Sequence, residues 1–124
     1  MLTIPAAVKI YVAPGATDMR KAIDGLSALV RETLGKDPLS GHLFVFANRR
    51  RDRLKILVWD RDGYWVLFKR REAGTFRWPK EGETAPVVMT ARDLMLILEG
   101  VDLRHATYRK RYARGEPAPQ VGAS

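Results

Sequence analysis

The chain has no cysteine and only two histidines among its 124 residues. The lack of cysteine excludes a disulfide framework and thiolate metal sites, and it favours a reducing compartment. No apolar run approaches the roughly 18 residues that a membrane-spanning helix needs. Residues 1–5 also lack the basic and then apolar pattern of a signal peptide. We therefore expect a cytoplasmic protein with no membrane partner.

Sequence motifs for catalysis are also absent. The chain has neither a Gly-x-Ser-x-Gly pattern nor a glycine-rich phosphate loop, and His42 and His105 are far apart in sequence. Asp60 and Asp62 could hold a divalent cation, which leaves a metal-dependent nuclease as a third hypothesis. However, Asp-x-Asp-Gly is more typical of a hairpin turn. We expect no enzymatic activity, no cofactor, no metal and no small-molecule substrate.

Negative charge is scarce relative to positive charge. Lysine and arginine total 22 against 14 acidic residues, which gives a formal net charge of +8 and an isoelectric point near 10.2. Such an excess attracts polyanions and speeds their capture. The composition therefore favours a nucleic-acid partner.

The hydrophobic pattern predicts an α+β fold: a small antiparallel β-meander of four to five strands with two main helices packed on one face. Strands are expected at 9–12, 42–47, 53–59 and 64–68, with Asp62-Gly63 at a hairpin tip and a short edge strand at 76–78. Helices are expected at 18–34, capped by Thr17 or Asp18, and from Thr90 to a cap at Gly100. Residues 79–86 form a loop in this scheme. One domain spans 1–104, and residues 105–124 form a basic, partly disordered tail.

The predicted meander gathers positive charge at one end of its sheet. Alternate turns of a meander lie at opposite ends, so the turn after the second strand should lie beside the end of the fourth. Seven cations would converge there: Arg49, Arg50, Arg51, Arg53, Lys69, Arg70 and Arg71. The guanidinium group pairs readily with phosphate, so we predict a nucleic-acid contact. A solvated loop that only keeps the protein soluble is the alternative.

The tail carries a second basic patch, in which Arg109, Lys110 and Arg111 lie between Tyr108 and Tyr112. Aromatic rings beside cations suit stacking on the bases of single-stranded nucleic acid. They suit packing of the tail onto its own domain equally well. We include these three cations among the predicted nucleic-acid contacts.

Several motifs, in order along the chain, resemble one known family. They are DMRK (18–21), DGL (24–26), DPLSGHLFVF (37–46), DRLKILVWDRDG (52–63), FRWP (76–79) and LEGVD (98–102). Together they resemble the TnpB accessory proteins, the second reading-frame products, of IS66-family insertion sequences, from about Val8 to Arg104. The resemblance implies a role in DNA transposition beside a separate, larger transposase, and it supplies no functional residues.

Two functional hypotheses follow. In the first, a non-catalytic accessory protein binds transposon DNA through the arginine-rich end of its sheet and helps to assemble the transposase complex. In the second, it is an adaptor that docks onto the transposase or another transposon-encoded protein without touching DNA, with aromatic anchors such as Trp78 and Tyr108.

Overall fold

The computed structural model describes residues 5–76, 78 and 87–99. Its elements are β1 (Ile10–Val12), α1 (Ile23–Glu32), β2 (Leu43–Ala47), β3 (Arg53–Asp60), β4 (Gly63–Arg70), β5 (Val87–Met89) and α2 (Ala91–Glu99). The strands form one sheet in the order β4-β3-β2-β1-β5. The predicted α+β fold with about five strands and two helices is confirmed.

The sheet is mostly antiparallel. Strands β2, β3 and β4 are the predicted meander, and β5 also pairs antiparallel with β1. Strand β1, however, runs parallel to β2, with Ile10 opposite Leu43. The meander prediction was wrong for this strand, because the connection through α1 carries the chain back to the end of the sheet where β1 began.

The two helices pack on opposite faces of the sheet, which corrects the prediction of one shared face. The α1-side core joins α1 to alternate strand residues: Tyr11, Ala13, Leu26, Val30, Leu34, Phe44, Phe46 and Leu57. The α2-side core takes the others: Ile10, Val12, Leu43, Val45, Leu54, Ile56, Phe76, Met89, Leu94 and Ile97. The physical reason lies in β2, whose five residues are all apolar and buried. A strand that is apolar on both faces needs cover on both.

Helix α1 begins at Ile23, five residues later than predicted, and neither Thr17 nor Asp18 caps it. Its N-cap residue, Ala22, makes no side-chain capping bond. The Asp18 carboxylate instead accepts a hydrogen bond from the backbone N–H of Arg20 at 2.9 Å. An Asx turn of this kind competes with helix formation, so residues 18–22 lead into the helix without belonging to it.

The C-terminal half departs from the predictions in two ways. Phe76 and Trp78 lie outside the strands, and Phe76 is instead buried in the α2-side core. Strand β5 was not predicted: its three residues directly follow the predicted loop at 79–86, and they form a strand by pairing with β1. The predicted cap of α2 is confirmed, since the Thr90 hydroxyl accepts a hydrogen bond from the Asp93 N–H at 3.0 Å.

The β3–β4 hairpin is confirmed, but its tip is shifted by one residue. Asp60 pairs with Gly63, so Arg61 and Asp62 form the turn and Gly63 opens β4. Arg61 has a positive φ of 59°. The helix cap at Gly100, the loop at 79–86 and the tail at 105–124 lie outside the described residues. Within the described residues, no helix has the length and apolarity to cross a membrane.

Candidate nucleic-acid interface

The turn between β2 and β3 is held by the side chain of Asn48. Its Oδ1 accepts hydrogen bonds from the N–H groups of Asp52 (3.1 Å) and Arg53 (3.0 Å), and its Nδ2 donates to Asp52 Oδ1 at 2.7 Å. The bond from Asn48 is the main reason that the pKa of Asp52 lies below its usual range. The turn therefore has a defined shape, and Arg49 and Arg50 project from it into solvent.

The predicted convergence of seven cations at one end of the sheet is present, because Arg53 lies opposite Arg70 in the β3–β4 pair. The strand pleat then divides these cations. Arg53 and Arg70 lie on the α1 face, two residues along from Lys55 and Phe68. Lys69 lies opposite the buried Leu54 on the α2 face, where its ammonium donates a hydrogen bond to the carbonyl of Leu98.

Two more of the seven are directed towards aromatic rings. The Arg51 guanidinium carbon is 5.5 Å from the centre of the Trp78 ring, and that of Arg71 is 5.8 Å from Phe76. The Arg51 carbonyl also accepts a hydrogen bond from the Phe76 N–H at 2.7 Å. Arg51 and Arg71 thus attach the segment after β4 to the end of the sheet. Four predicted residues remain together on the α1 face: Arg49, Arg50, Arg53 and Arg70.

These four arginines line an open groove of about 790 Å³, here called the cationic groove. Its lining residues are Thr17, Asp18, Met19, Arg20, Asn48, Arg49, Arg50, Arg53, Lys55, Val66, Phe68 and Arg70. Six of them are cations, and Asp18 is the only acid among them. Such a concentration of one sign of charge in a concave surface raises the local concentration of anions.

The groove exists because α1 covers only part of its face of the sheet. Leu26, Val30 and Leu34 pack over Phe44, Phe46 and the middle of β3. Beyond them, β3 and β4 continue with Lys55, Phe68 and the arginine pair, and no helix of the described chain covers these residues. Three of these four positions carry lysine or arginine, which is the local reason that the apolar core stops there.

Residues 17–20 form one wall of the groove. The Thr17 N–H donates to the carbonyl of Ala47 at 2.8 Å, which joins this segment to the end of β2. The Lys55 ammonium donates to the carbonyls of Met19 at 2.9 Å and Lys21 at 2.8 Å. Lys55 therefore fixes the wall to the sheet and also adds a positive charge to the groove.

The predictions missed two of the six groove cations, Arg20 and Lys55, and the aromatic residue Phe68. Alternation along β3 and β4 could have identified two of them, because Lys55 is two residues from Arg53 and Phe68 is two residues from Arg70. No sequence pattern could have indicated Arg20, which reaches the groove only through the fold of residues 17–20. The tail residues Arg109, Lys110 and Arg111 lie outside the described part of the chain.

The ion pairs of the groove are exposed and therefore weak. Arg20 pairs with Asp18 at 2.8 Å, Arg70 pairs with Glu72 at 3.0 Å, and Arg50 lies 4.0 Å from Asp52. The side-chain hydrogen bond from Arg20 is the largest cause that lowers the pKa of Asp18 to about 2. In the described part of the chain, neither Arg49 nor Arg53 has an ion-pair partner. A phosphate could thus approach these arginines without breaking a buried ion pair.

Other candidate sites make structural contacts. The Nδ1 atom of His42 accepts a hydrogen bond from the Lys9 N–H at 2.9 Å, and its ring meets Tyr11 edge-on. Asp60 accepts a hydrogen bond from the indole of Trp65 at 3.4 Å. Among the described residues, no group of three histidines, cysteines or acids is arranged to hold a metal ion.

The model of the family described as "IS66 Orf2 like protein" matches residues 8–108 of the chain. The chain belongs to this family. The IS66 Orf2-like chain is thus a transposition-associated accessory protein of an insertion sequence, and the family is not known to be catalytic. All of the groove residues fall within the matched range.

Two curated relatives come from Sinorhizobium fredii (strain NBRC 101917 / NGR234). The uncharacterized protein y4hO is 36% identical over 105 residues, which is 85% of this chain and 90% of the relative. The uncharacterized protein y4jC is 36% identical over 95 residues, which is 77% of this chain and 80% of the relative. No solved structure gives a significant match.

Proposed function

We propose that this IS66 Orf2-like protein binds the DNA of its insertion sequence through the cationic groove and thereby helps to assemble the transposase complex. One observation carries the proposal: six cations and one carboxylate line a single concave surface. Phosphate contacts of this kind position a protein on DNA without reading its sequence. The groove therefore supports a general affinity for DNA, to which the transposase would add the choice of site.

Arg49, Arg50, Arg53 and Arg70 are the proposed phosphate ligands. All four are exposed, and the guanidinium fork can contact two phosphate oxygens at once. Arg51, Lys69 and Arg71 contribute to the field of this end of the sheet, while their groups face Trp78, Leu98 and Phe76. Arg109, Lys110 and Arg111 in the tail remain predicted contacts.

Fluorescence anisotropy with a labelled transposon-end duplex and a scrambled duplex, at several salt concentrations, tests the proposal. If about five phosphates are neutralised, log affinity falls with log salt at a slope of roughly −4 to −5. Replacing Arg53 and Arg70 with alanine should weaken binding to both duplexes equally and reduce the slope by about 2. A slope near zero in the parent protein would contradict DNA binding by this route.

Two control variants each remove one positive charge that lies outside the groove. Lys69→Met acts at the same end of the sheet and on the opposite face. Arg61→Gly acts at the other end, where glycine readily adopts the positive φ. If the groove binds DNA, the variant with both Arg53 and Arg70 replaced should lose clearly more DNA affinity than either control. Equal losses per charge in all variants would point to the net charge of the protein instead.

The adaptor hypothesis is supported by a different residue. Trp65 lies on the α2 face of the edge strand β4 and is 60% exposed, and tryptophan is enriched among residues that anchor protein interfaces. Trp78 is half-buried against Arg51, so it is a poorer anchor than the sequence indicates. The test is co-purification with the transposase after nuclease treatment. Complex formation that Trp65→Ala abolishes and the arginine variants retain would favour the adaptor.

A further inference from the structure

One apolar side chain of the cationic groove, Phe68, belongs to neither apolar core. Phe68 is 54% exposed, although it lies within the paired part of β4, third from the C-terminal end of that strand. Its neighbours in the strand pair are Lys55 directly opposite and Arg70 two residues along the same face. Packing does not explain a solvated phenyl ring between cations, because most of its apolar surface stays in water.

The surroundings of Phe68 leave one side of its ring available. The Lys55 ammonium lies over one face of the ring, 5.8 Å from its centre, and two backbone carbonyls hold it there, so it does not cover the other face. Strand β4 is an edge of the sheet, and no described strand lies on its other side. A flat group can therefore reach the ring from the groove or from the edge.

Three cross-strand residue pairs follow one another along this face of β3 and β4. Leu57 lies opposite Val66, Lys55 opposite Phe68, and Arg53 opposite Arg70. An aromatic ring is thus followed by a pair of arginines, about 7 Å further along the strands at two residues of rise. Single-strand binding sites combine aromatic side chains that stack bases with a cationic groove that follows the backbone, so a base on the ring and a phosphate at the arginines can be held together.

We infer that the cationic groove selects single-stranded over double-stranded DNA, with a base stacked on Phe68 and the flanking phosphates bound by Arg53 and Arg70. This inference rests on the proposed function and specifies the strand form that the groove binds. In a duplex the faces of the bases are stacked on one another and cannot reach Phe68, whereas unpaired bases have free faces. Stacking on a phenyl ring favours no particular base sequence.

The experiment uses the full chain and four labelled probes of about 12 nucleotides, within the site sizes usual for single-strand binders. The probes are oligothymidylate, its duplex with oligoadenylate, an abasic strand of the same length, and oligouridylate. We expect oligothymidylate to bind more tightly than the duplex and the abasic strand at one salt concentration. Tighter binding of oligouridylate than of oligothymidylate would overturn the assignment to DNA.

Substitutions at Phe68 separate stacking from charge. Phe68→Ala and Phe68→Leu should weaken oligothymidylate binding by about 5- to 150-fold, while Phe68→Tyr retains it. Binding of the abasic strand should not change in any of these variants. Trp65→Ala removes another exposed aromatic residue from the same strand but from the opposite face, and it should leave all four affinities unchanged.

The outcomes distinguish this inference from the function on which it rests. If duplex and single strand bind equally, and Phe68→Ala weakens both no more than Trp65→Ala, the strand preference is wrong and DNA binding through the arginines stands. If Phe68→Leu behaves like the parent, the contact is not aromatic stacking and the inference is overturned. If no probe binds at low salt, the proposed function fails and the inference fails with it.

Discussion

The two faces of the sheet contain apolar cores of similar character but differ in how their charged residues are used. On the α2 face, Lys69 donates to the end of α2, and the segment after β4 folds across with Phe76 in the core. On the α1 face, the helix stops short and leaves Arg53, Arg70 and Phe68 open to solvent. Both faces therefore contribute to stability, and the α1 face in addition leaves cations and an aromatic ring exposed.

The largest expected effect is a loss of stability from truncating a core side chain on either face of the sheet. Phe46→Ala removes a fully buried ring from the α1-side core, and Ile56→Ala truncates a buried side chain in the α2-side core. We expect losses of about 3–5 and about 2–5 kcal/mol in the free energy of unfolding, because each leaves a cavity. Urea denaturation measures both values. A loss below 1 kcal/mol on either face would show that this face is not a real core.

A smaller effect is expected at the turn that carries Arg49 and Arg50. Asn48→Ala leaves the N–H groups of Asp52 and Arg53 without their side-chain acceptor. We expect a loss of about 1–3 kcal/mol in unfolding free energy and weaker DNA binding, since the arginines lose their fixed geometry. Asn48→Asp keeps the acceptor oxygens but adds a negative charge to the groove. It also replaces the Nδ2 donor with a second carboxylate oxygen beside Asp52 Oδ1, so it should be no more stable than Asn48→Ala and should bind DNA more weakly than that variant.

The smallest expected effect concerns Asp18, the one carboxylate in the groove lining. Its pKa is lowered to about 2 from 3.8, mainly by the hydrogen bond from Arg20. Its contribution to stability is therefore complete above pH 3.8 and is lost as the pH falls through about 2. The melting temperature of the parent protein should exceed that of Asp18→Asn at neutral pH, and the gap should close between pH 4 and 2. A gap that widens on acidification would contradict this assignment.

Asp18→Asn also tests whether the charge of the cationic groove controls DNA affinity. Asp18→Asn removes a negative charge from the groove and frees Arg20, so at neutral pH we expect tighter DNA binding and a steeper salt slope. Removing a carboxylate far from the groove, as in Asp93→Asn on α2, should give a smaller increase. The anisotropy titrations described above measure both.

The local sequence was sufficient to predict the strands of the meander and the convergence of positive charge at one end of the sheet. Long apolar runs and short polar turns determine β2, β3 and β4, and the register then brings Arg53 beside Arg70. The sequence was not sufficient for the start of α1, where the Asx turn at Asp18 replaces a helix cap. It also gave no sign of β5, whose three residues form a strand only because β1 offers an edge for pairing.

The sequence by itself thus determined the α+β class, the family, the excess of positive charge and the end of the sheet where seven cations collect. Only the tertiary structure decided which of them share a surface. Because side chains alternate across a strand, neighbours such as Lys69 and Arg70 lie on opposite faces. Because α1 covers only part of its face, Arg70 lines an open groove with Phe68, while Lys69 lies against α2.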